Sequence, residues 1–186
     1  CFYLNLCGHK TGVCFGHTLL SRRLQEIFLT LSVHPEGLSL ESLHAHVYGD
    51  ADVSMSTLKS EMSHLRAHIG ERLQARPYRL SMTAQIVPTD AHLVEQYALQ
   101  GNVQAMMTLY QHPLLPQSQA PAVVEFREYL HQLVVRTLAM STDVSALWQF
   151  STQHEAEYEV LAQLQQLLPP SDGRRAAVLA KLTQFE

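Results

Sequence analysis

The feature that most constrains the fold is a change in the spacing of apolar residues at Ser21. Before Ser21 the apolar residues alternate with others, the period of a half-buried strand, at Phe2, Leu4 and Leu6. Turn residues follow at 8–12 and 16–17, around an extended run at 13–15. Ser21 is the expected N-cap of a first helix. After it the spacing becomes three and four, which is typical of one helix face, at Leu24, Ile27, Phe28 and Leu31. We therefore expect a small antiparallel sheet followed by helices.

Two further helices and a hairpin are predicted before residue 86. Ser39 is the expected N-cap of the second helix, whose buried face comprises Leu40, Leu43, Val47 and Tyr48. The third helix begins at Ser54 or Ser56 and ends at Gly70, with its inward face at Leu58, Met62, Leu65 and Ile69. Residues 73–82 have hairpin chemistry centred on Arg76-Pro77. Strands, three helices and a hairpin, in this order, predict an α+β winged helix-turn-helix over residues 1–86.

The second half of the chain has helical patterns alone. A helix pair surrounds Gly101-Asn102, a loop spans 112–120, and Pro121 begins a long helix. Further helices are expected at 143–152, 155–168 and 174–184. Helices that recur in pairs indicate stacked helical hairpins, similar to TPR repeats. We expect a boundary at 84–90, an all-α interaction domain over 87–186, and a protein that is mostly α.

Charge is distributed unevenly between the two halves. The chain has a net charge of −4, to which residues 1–88 contribute +1 and residues 89–186 contribute −5. A surface that binds phosphates should be basic. Within residues 56–80 the acidic residues are Glu61 and Glu71. The basic residues outnumber them: Lys59, Arg66, Arg72, Arg76 and Arg79. The basic surface is therefore local, and the acidic half suits a different partner.

The outward face of the third helix has residue types that suit DNA. Lys59 and Arg66 can pair with phosphates or reach guanine in the major groove. Hydroxyl groups near the helix start can add phosphate contacts, helped by the helix dipole. Glu61 repels phosphate, unless it points aside or accepts a bond from a cytosine amino group. Periodicity alone also fits the solvated face of a core helix. The candidate DNA-binding residues are Ser54, Ser56, Thr57, Lys59, Ser60, Ser63, His64, Arg66, Arg76 and Arg79.

Several ordered motifs resemble a known family. Residues 21–80 look like an OmpR/PhoB-type effector domain, through His34-Pro35-Glu36-Gly37-Leu38-Ser39, Val47-Tyr48-Gly49, the third-helix stretch 56–66 and Arg76-Pro77-Tyr78-Arg79-Leu80. The third-helix and hairpin motifs are closer still to bacterial regulators that carry a GAF sensor ahead of this region. The stretch 113–121, with Arg127 and Leu130, resembles the bacterial transcriptional activation domain that follows in those proteins.

The resemblance implies a bacterial, sequence-specific DNA-binding transcription regulator. Its partners would be double-stranded DNA and, through the helical half, RNA polymerase or another protein; a homodimer is expected where half-sites are paired. A change at Phe126 or Arg127 that leaves DNA binding intact but abolishes activation would place partner binding in the helical half. The hairpin lacks the glycine-rich tip and aromatic pattern of typical response regulators, so insertion into the minor groove is not expected. Neither a receiver nor a GAF domain is visible in these residues.

Other chemistries find little support in the sequence. No apolar run approaches the ~20 residues that cross a bilayer, and the start lacks a signal-peptide pattern, so we expect a soluble, cytoplasmic piece of a longer protein without membrane contact. The 3 cysteines fit a reduced compartment, and none of the 11 histidines belongs to a recognisable metal-ligand set. Phosphate-binding loops and nucleophile elbows are absent, so neither enzyme activity nor a cofactor is expected. The alternative is a protein-interaction scaffold whose winged helix no longer binds DNA.

Overall fold

A short strand pair precedes a mostly helical structure. The computed structural model describes residues 14–15, 18–81 and 89–185. Strands β1 (Cys14–Phe15) and β2 (Thr18–Leu19) pair antiparallel, with Cys14 opposite Leu19, as expected from the sequence. The strand predicted at residues 2–6 and most of the predicted boundary at 84–90 lie outside the described residues. The prediction of a mostly α protein is confirmed.

Three capped helices form the first half. They are α1 (Arg22–Ser32), α2 (Leu40–Tyr48) and α3 (Met55–Ile69). The predicted N-caps of α1 and α2 are confirmed, and of the two candidate starts of α3 the structure selects Ser54. Each cap hydroxyl accepts a bond from a backbone N–H three residues later, at 3.4 Å for Ser21, 3.0 Å for Ser39 and 3.3 Å for Ser54. These bonds satisfy N–H groups that have no partner inside the helix.

The buried faces differ in how closely they follow the sequence pattern. On α3 the buried residues are the predicted Leu58, Met62, Leu65 and Ile69. On α2 only Leu43 and Val47 are buried, while Leu40 and Tyr48 pack against the core from its edge. On α1 the predicted stripe is buried, and so are Glu26, Leu29 and Thr30. Other elements therefore pack on α1 from more than one side, and some of them belong to the second half of the chain.

A hairpin closes the first half. Strands β3 (Leu73–Gln74) and β4 (Arg79–Leu80) pair antiparallel, with Leu73 opposite Leu80. Tyr78 also exchanges two backbone hydrogen bonds with Leu38, at 2.9 and 2.8 Å. Gly37 approaches this bridge with φ +90°, and a Cβ there would lie 2.8 Å from Pro77 Cγ. The hairpin is therefore anchored to the segment between α1 and α2.

The second half consists of helices α4 (Asp90–Leu99), α5 (Val103–Leu109), α6 (Pro121–Ala139), α7 (Val144–Gln153), α8 (Tyr158–Leu167) and α9 (Arg174–Leu182). Two boundaries differ from the prediction by more than one residue. Residues 155–157 precede α8 rather than belonging to it, and the final helix becomes a 3-10 turn at Thr183–Phe185. Buried residues of the two halves form one continuous hydrophobic cluster, in which α6 packs on both α1 and α2.

Candidate nucleic-acid interface

Helix α3 is held so that one face points away from the core. Its apolar face packs on α1 and α2, and Leu58 and Leu65 are fully buried there. Gly70 ends the helix with φ +63°, a backbone conformation that glycine adopts without a steric penalty. The opposite face therefore remains at the surface along the whole length of α3.

The structure places all the candidate residues at the surface. Those on α3 or at its start form one continuous face, and the remaining two lie on the hairpin beside it. The exposed residues are Ser54, Ser56, Thr57, Lys59, Ser60, Ser63, His64, Arg66, Arg76 and Arg79. The sequence pattern predicted this exposure because residues three and four apart share a face of a helix.

Hydroxyl groups cluster where α3 begins. Ser54 Oγ lies 2.7 Å from Ser56 Oγ and 3.0 Å from Thr57 Oγ1, and it accepts the Thr57 N–H at 3.3 Å. The Ser54 hydroxyl therefore has a structural role as the helix cap. The three side chains remain exposed, so they can also meet a polar partner.

A groove of about 240 Å³ separates α3 from the hairpin, and its walls are Lys59, Met62, Ser63, Arg66, Ala75 and Tyr78. Beside it, Arg66 Nη2 donates to the Leu73 carbonyl at 3.2 Å. Arg66 therefore fastens the hairpin to α3 in addition to carrying charge. Tyr78 was not among the predicted site residues; its place beside the expected arginines in the hairpin motif was the available signal.

The remaining cations of this surface are accessible. Arg79 Nε donates to Gln74 Oε1 at 2.7 Å across the hairpin, and Arg76 lies at the hairpin turn with φ +66°. Within the described part of the chain, no carboxylate lies within 4.0 Å of a charged nitrogen of Lys59, Arg66, Arg76 or Arg79. None of the four therefore has a close ion pair in this part of the chain. Hydrogen bonds from the Glu41 backbone and from Ser39 lower the pKa of the Glu41 carboxyl, and the charge of Lys59 adds to this effect at longer range.

Glu61 is turned aside from the most exposed part of this face. Its side chain is 27% exposed, against 67% for His64, and Glu61 Oε2 lies 4.0 Å from His64 Nδ1. Its charge also acts on α2: burial raises the pKa of Tyr48, the Arg23 guanidinium opposes this, and Glu61 adds to the rise. The sequence left two roles open for Glu61: pointing away from DNA, or accepting a bond from a cytosine amino group. Its orientation without DNA favours the first role.

The helical half contains a second cavity, of about 620 Å³, between the 113–116 loop, α6 and the end of α7. His131 lines it, with Nε2 2.8 Å from Glu157 Oε1 and Nδ1 2.9 Å from the buried Tyr110 hydroxyl. Because a carboxylate only accepts, Nε2–H donates to Glu157. Nδ1 accepts from the Tyr110 hydroxyl when the ring is neutral and donates to it when the ring is protonated. Both ring nitrogens of His131 are therefore engaged within the helical half.

Arg127 has a structural role inside the helical half. Its Nη1 donates to the carbonyls of Leu114, Leu115 and Ser118, at 3.3, 2.7 and 3.2 Å. Loss of this side chain would release the loop between α5 and α6. A change at Arg127 therefore alters this loop in addition to any partner contact.

The described residues contain neither a cluster of three or more His, Cys, Asp or Glu side chains arranged for a metal ion, nor a helix with the length and apolar character to span a membrane. No protein-family model matches the sequence. The chain is 36% identical, over 147 residues, to an uncharacterized 47.3 kDa protein in the thcA 5′ region of Rhodococcus erythropolis. The match covers 78% of this chain and 33% of that relative, so the chain spans about a third of the relative's length.

Proposed function

We propose that this chain is the DNA-binding part of a transcription regulator and that α3 is its recognition helix. The observation that carries the proposal is the exposed face of α3, on which Lys59, Ser63 and Arg66 line one groove. Among the described residues, no carboxylate lies within 4.0 Å of the charged nitrogens of the two cations. Phosphate contacts from such side chains position a protein on DNA, and base contacts in the major groove specify the sequence.

The arrangement of elements supports a winged helix-turn-helix over residues 20–81. In that fold two helices hold a third against DNA, and a hairpin lies beside it. Here α1 and α2 pack on α3, and the hairpin is tied to α3 by Arg66 and to the α1–α2 segment by the Leu38–Tyr78 bridge. With 15 residues, α3 is about 22 Å long. The major groove, about 12 Å wide, admits an α-helix of ordinary diameter.

The hairpin has a smaller role in this proposal than in typical response regulators. Its strands are two residues each, and its exposed cations are Arg76 and Arg79. Such a hairpin reaches the phosphate backbone beside the helix rather than inserting deeply into the minor groove.

We propose that the helical half, whose sequence carries a net negative charge, is similar to the bacterial transcriptional activation domain and contacts RNA polymerase or another protein. A GAF sensor ahead of this region, and pairing of two copies on DNA, belong to the same proposal.

Salt-dependent binding to a short mixed-sequence DNA duplex tests the proposal. The affinity should fall steeply as salt is raised, because phosphate-bound counterions are released on binding. Lys59→Ala should lower the slope of log affinity against log salt by about one. Arg136→Ala is the matched control, since Arg136 is an exposed cation on α6, outside the groove, and its removal should leave the slope unchanged.

Two results would count against the proposal. Equal effects of Lys59→Ala and Arg136→Ala would place the DNA contact elsewhere than on α3. Absence of salt-sensitive binding would favour the alternative, a scaffold in which both halves bind proteins. If binding is found, selection of duplexes from a random-sequence pool then identifies the preferred site.

A further inference from the structure

A buried carboxylate joins the two halves of the chain. Glu26 on α1 is 3% exposed, and its Oε1 accepts a hydrogen bond of 2.7 Å from the hydroxyl of Ser118, 92 residues away. Ser118 is 1% exposed, and its Oγ also accepts the Ala120 N–H at 3.2 Å. The Ala120 bond fixes the orientation of the hydroxyl, so its proton points to Glu26. Charge-assisted bonds of this kind are stronger than neutral ones.

The loop that carries Ser118 has little freedom to move. Arg127 donates to the Leu114, Leu115 and Ser118 carbonyls from one nitrogen, and it belongs to α6. Leu114 is fully buried within the same loop. The position of Ser118 is therefore set by the helical half.

On the other side of Glu26 the contacts lead to the end of α2. Glu26 Oε2 forms an ion pair with Arg23 Nη1 at 2.8 Å, without the geometry of a hydrogen bond. Arg23 Nη1 donates to the Val47 carbonyl at 3.2 Å, and its guanidinium lies 4.4 Å from the centroid of the Tyr48 ring. Val47 and Tyr48 are the last residues of α2, directly before the turn that leads into α3.

A second contact reaches the same turn independently. Pro121, the first residue of α6, packs against Gly49, the residue that ends α2 with φ +58°. A Cβ at Gly49 would lie 3.2 Å from Pro121 Cγ. Two separate contacts from the helical half thus meet at the α2–α3 turn. Ser118 acts through Glu26 and Arg23, and Pro121 packs directly on Gly49.

We propose that residues 118–121 form a positioning clamp, through which the helical half holds the α2–α3 turn and so sets how α3 is presented to DNA. Glu26, Ser118 and Pro121 are positioning residues in this scheme, since they act through the turn and lie away from the DNA face. The proposal rests on the proposed function for its effect on DNA. The effect of the clamp on the turn itself can be measured without DNA, by hydrogen–deuterium exchange.

The test uses the full chain and the Ser118→Ala variant. Hydrogen–deuterium exchange reports on the turn, where the Gly49 and Ala51 amides donate to backbone carbonyls at 2.9 and 3.1 Å. Their exchange should become faster in Ser118→Ala. Affinity for the mixed-sequence duplex should weaken roughly two- to thirtyfold, the usual range for residues that couple two regions. The salt slope should stay unchanged, because the phosphate contacts themselves are intact.

Ser151→Ala is the matched control. Ser151 is 2% exposed, and its hydroxyl donates to the Trp148 carbonyl at 2.8 Å within the helical half. This variant removes a buried serine hydroxyl without touching the clamp, so turn exchange and DNA affinity should match the wild type. Glu26→Gln is the second variant: in its background the effect of Ser118→Ala should shrink, because the charge that strengthens the bond is gone.

The outcomes separate the two proposals. Wild-type protein that does not bind the duplex overturns the proposed function, while faster turn exchange in Ser118→Ala would still support the clamp. Unchanged turn exchange in Ser118→Ala overturns the clamp whatever the DNA result. Equal loss of DNA affinity in Ser118→Ala and Ser151→Ala also overturns it, because it would show that general destabilisation is the cause.

Discussion

His154 is a residue whose protonation the fold opposes. Its ring stacks on Phe150 and Tyr110, with centroid distances of 4.6 and 5.1 Å. Burial lowers the pKa of His154 below its ordinary value, and the charge of a protonated His131 lowers it further, while a backbone contact with Tyr110 acts in the other direction. The folded chain therefore favours neutral His154, whereas the unfolded chain takes up a proton near the ordinary value of about 6.5.

This difference predicts a loss of stability on mild acidification. The contribution of His154 to stability is fully present above about pH 6.5, the pKa of the unfolded chain. The free energy of unfolding should fall as the pH drops from that value through the lower pKa of folded His154. His154→Phe should reduce this dependence, because phenylalanine can stack but does not titrate. Urea denaturation between about pH 5 and 8 measures it. A variant with the same pH dependence as the wild type would contradict the assignment. Burial also lowers the pKa of His92, which should supply part of the remaining dependence.

Two arginines illustrate how a charged residue can have more than one role. Arg66 was predicted from its position on the outward face, and it is exposed there. Its bond to the Leu73 carbonyl also holds the hairpin. Arg127 was a candidate for testing partner binding, and it binds three carbonyls of its own half. The sequence shows that a guanidinium is present, but its acceptors are set by loops whose path the sequence does not specify.

At the scale of elements, the start of α3 depends on one hydroxyl. Ser54→Ala removes the side-chain acceptor of the Thr57 N–H and the contact with Ser56, and it keeps the bond of 3.0 Å from Thr57 N–H to the Ser54 carbonyl. The free energy of unfolding should fall by about 1 kcal/mol, as is usual for loss of an N-cap. Thermal and urea denaturation of the full chain measure the change.

Ser60→Ala provides the comparison for this prediction. Ser60 is an exposed residue in the interior of α3, and alanine has the higher helix propensity there. Its effect should be neutral or slightly stabilising, by about 0.5 kcal/mol at most. Similar losses in both variants would mean that Ser54 acts as an ordinary surface serine and not as a cap.

At the scale of the whole molecule, the shared core predicts that the two halves unfold together. Leu43 is fully buried on α2, and α2 packs on α6 of the other half. Leu43→Ala should cost about 2–5 kcal/mol through lost burial and the resulting cavity. Trp148, the single tryptophan of the chain, lies on α7 and reports on the helical half. Its fluorescence midpoint in urea should move with the circular-dichroism midpoint.

Separate transitions would contradict this picture. Leu43→Ala could lower the urea midpoint for only part of the circular-dichroism change and leave the Trp148 fluorescence midpoint unchanged. The two halves would then be independent domains. The boundary predicted at 84–90 would then separate two folding units. Coincident midpoints would mean that this boundary divides the sequence pattern but not the cooperative structure.

The sequence by itself determined the local structure. The caps at Ser21 and Ser39, the buried face of α3 and the exposed cations on its other face all followed from neighbours within four residues, where spacing and hydrogen-bonding chemistry suffice. Tertiary structure alone decided that Glu26 is buried, because its partner Ser118 lies 92 residues away. It also decided that Glu61 turns aside. These outcomes depend on which surfaces meet, and helical periodicity carries no information about that.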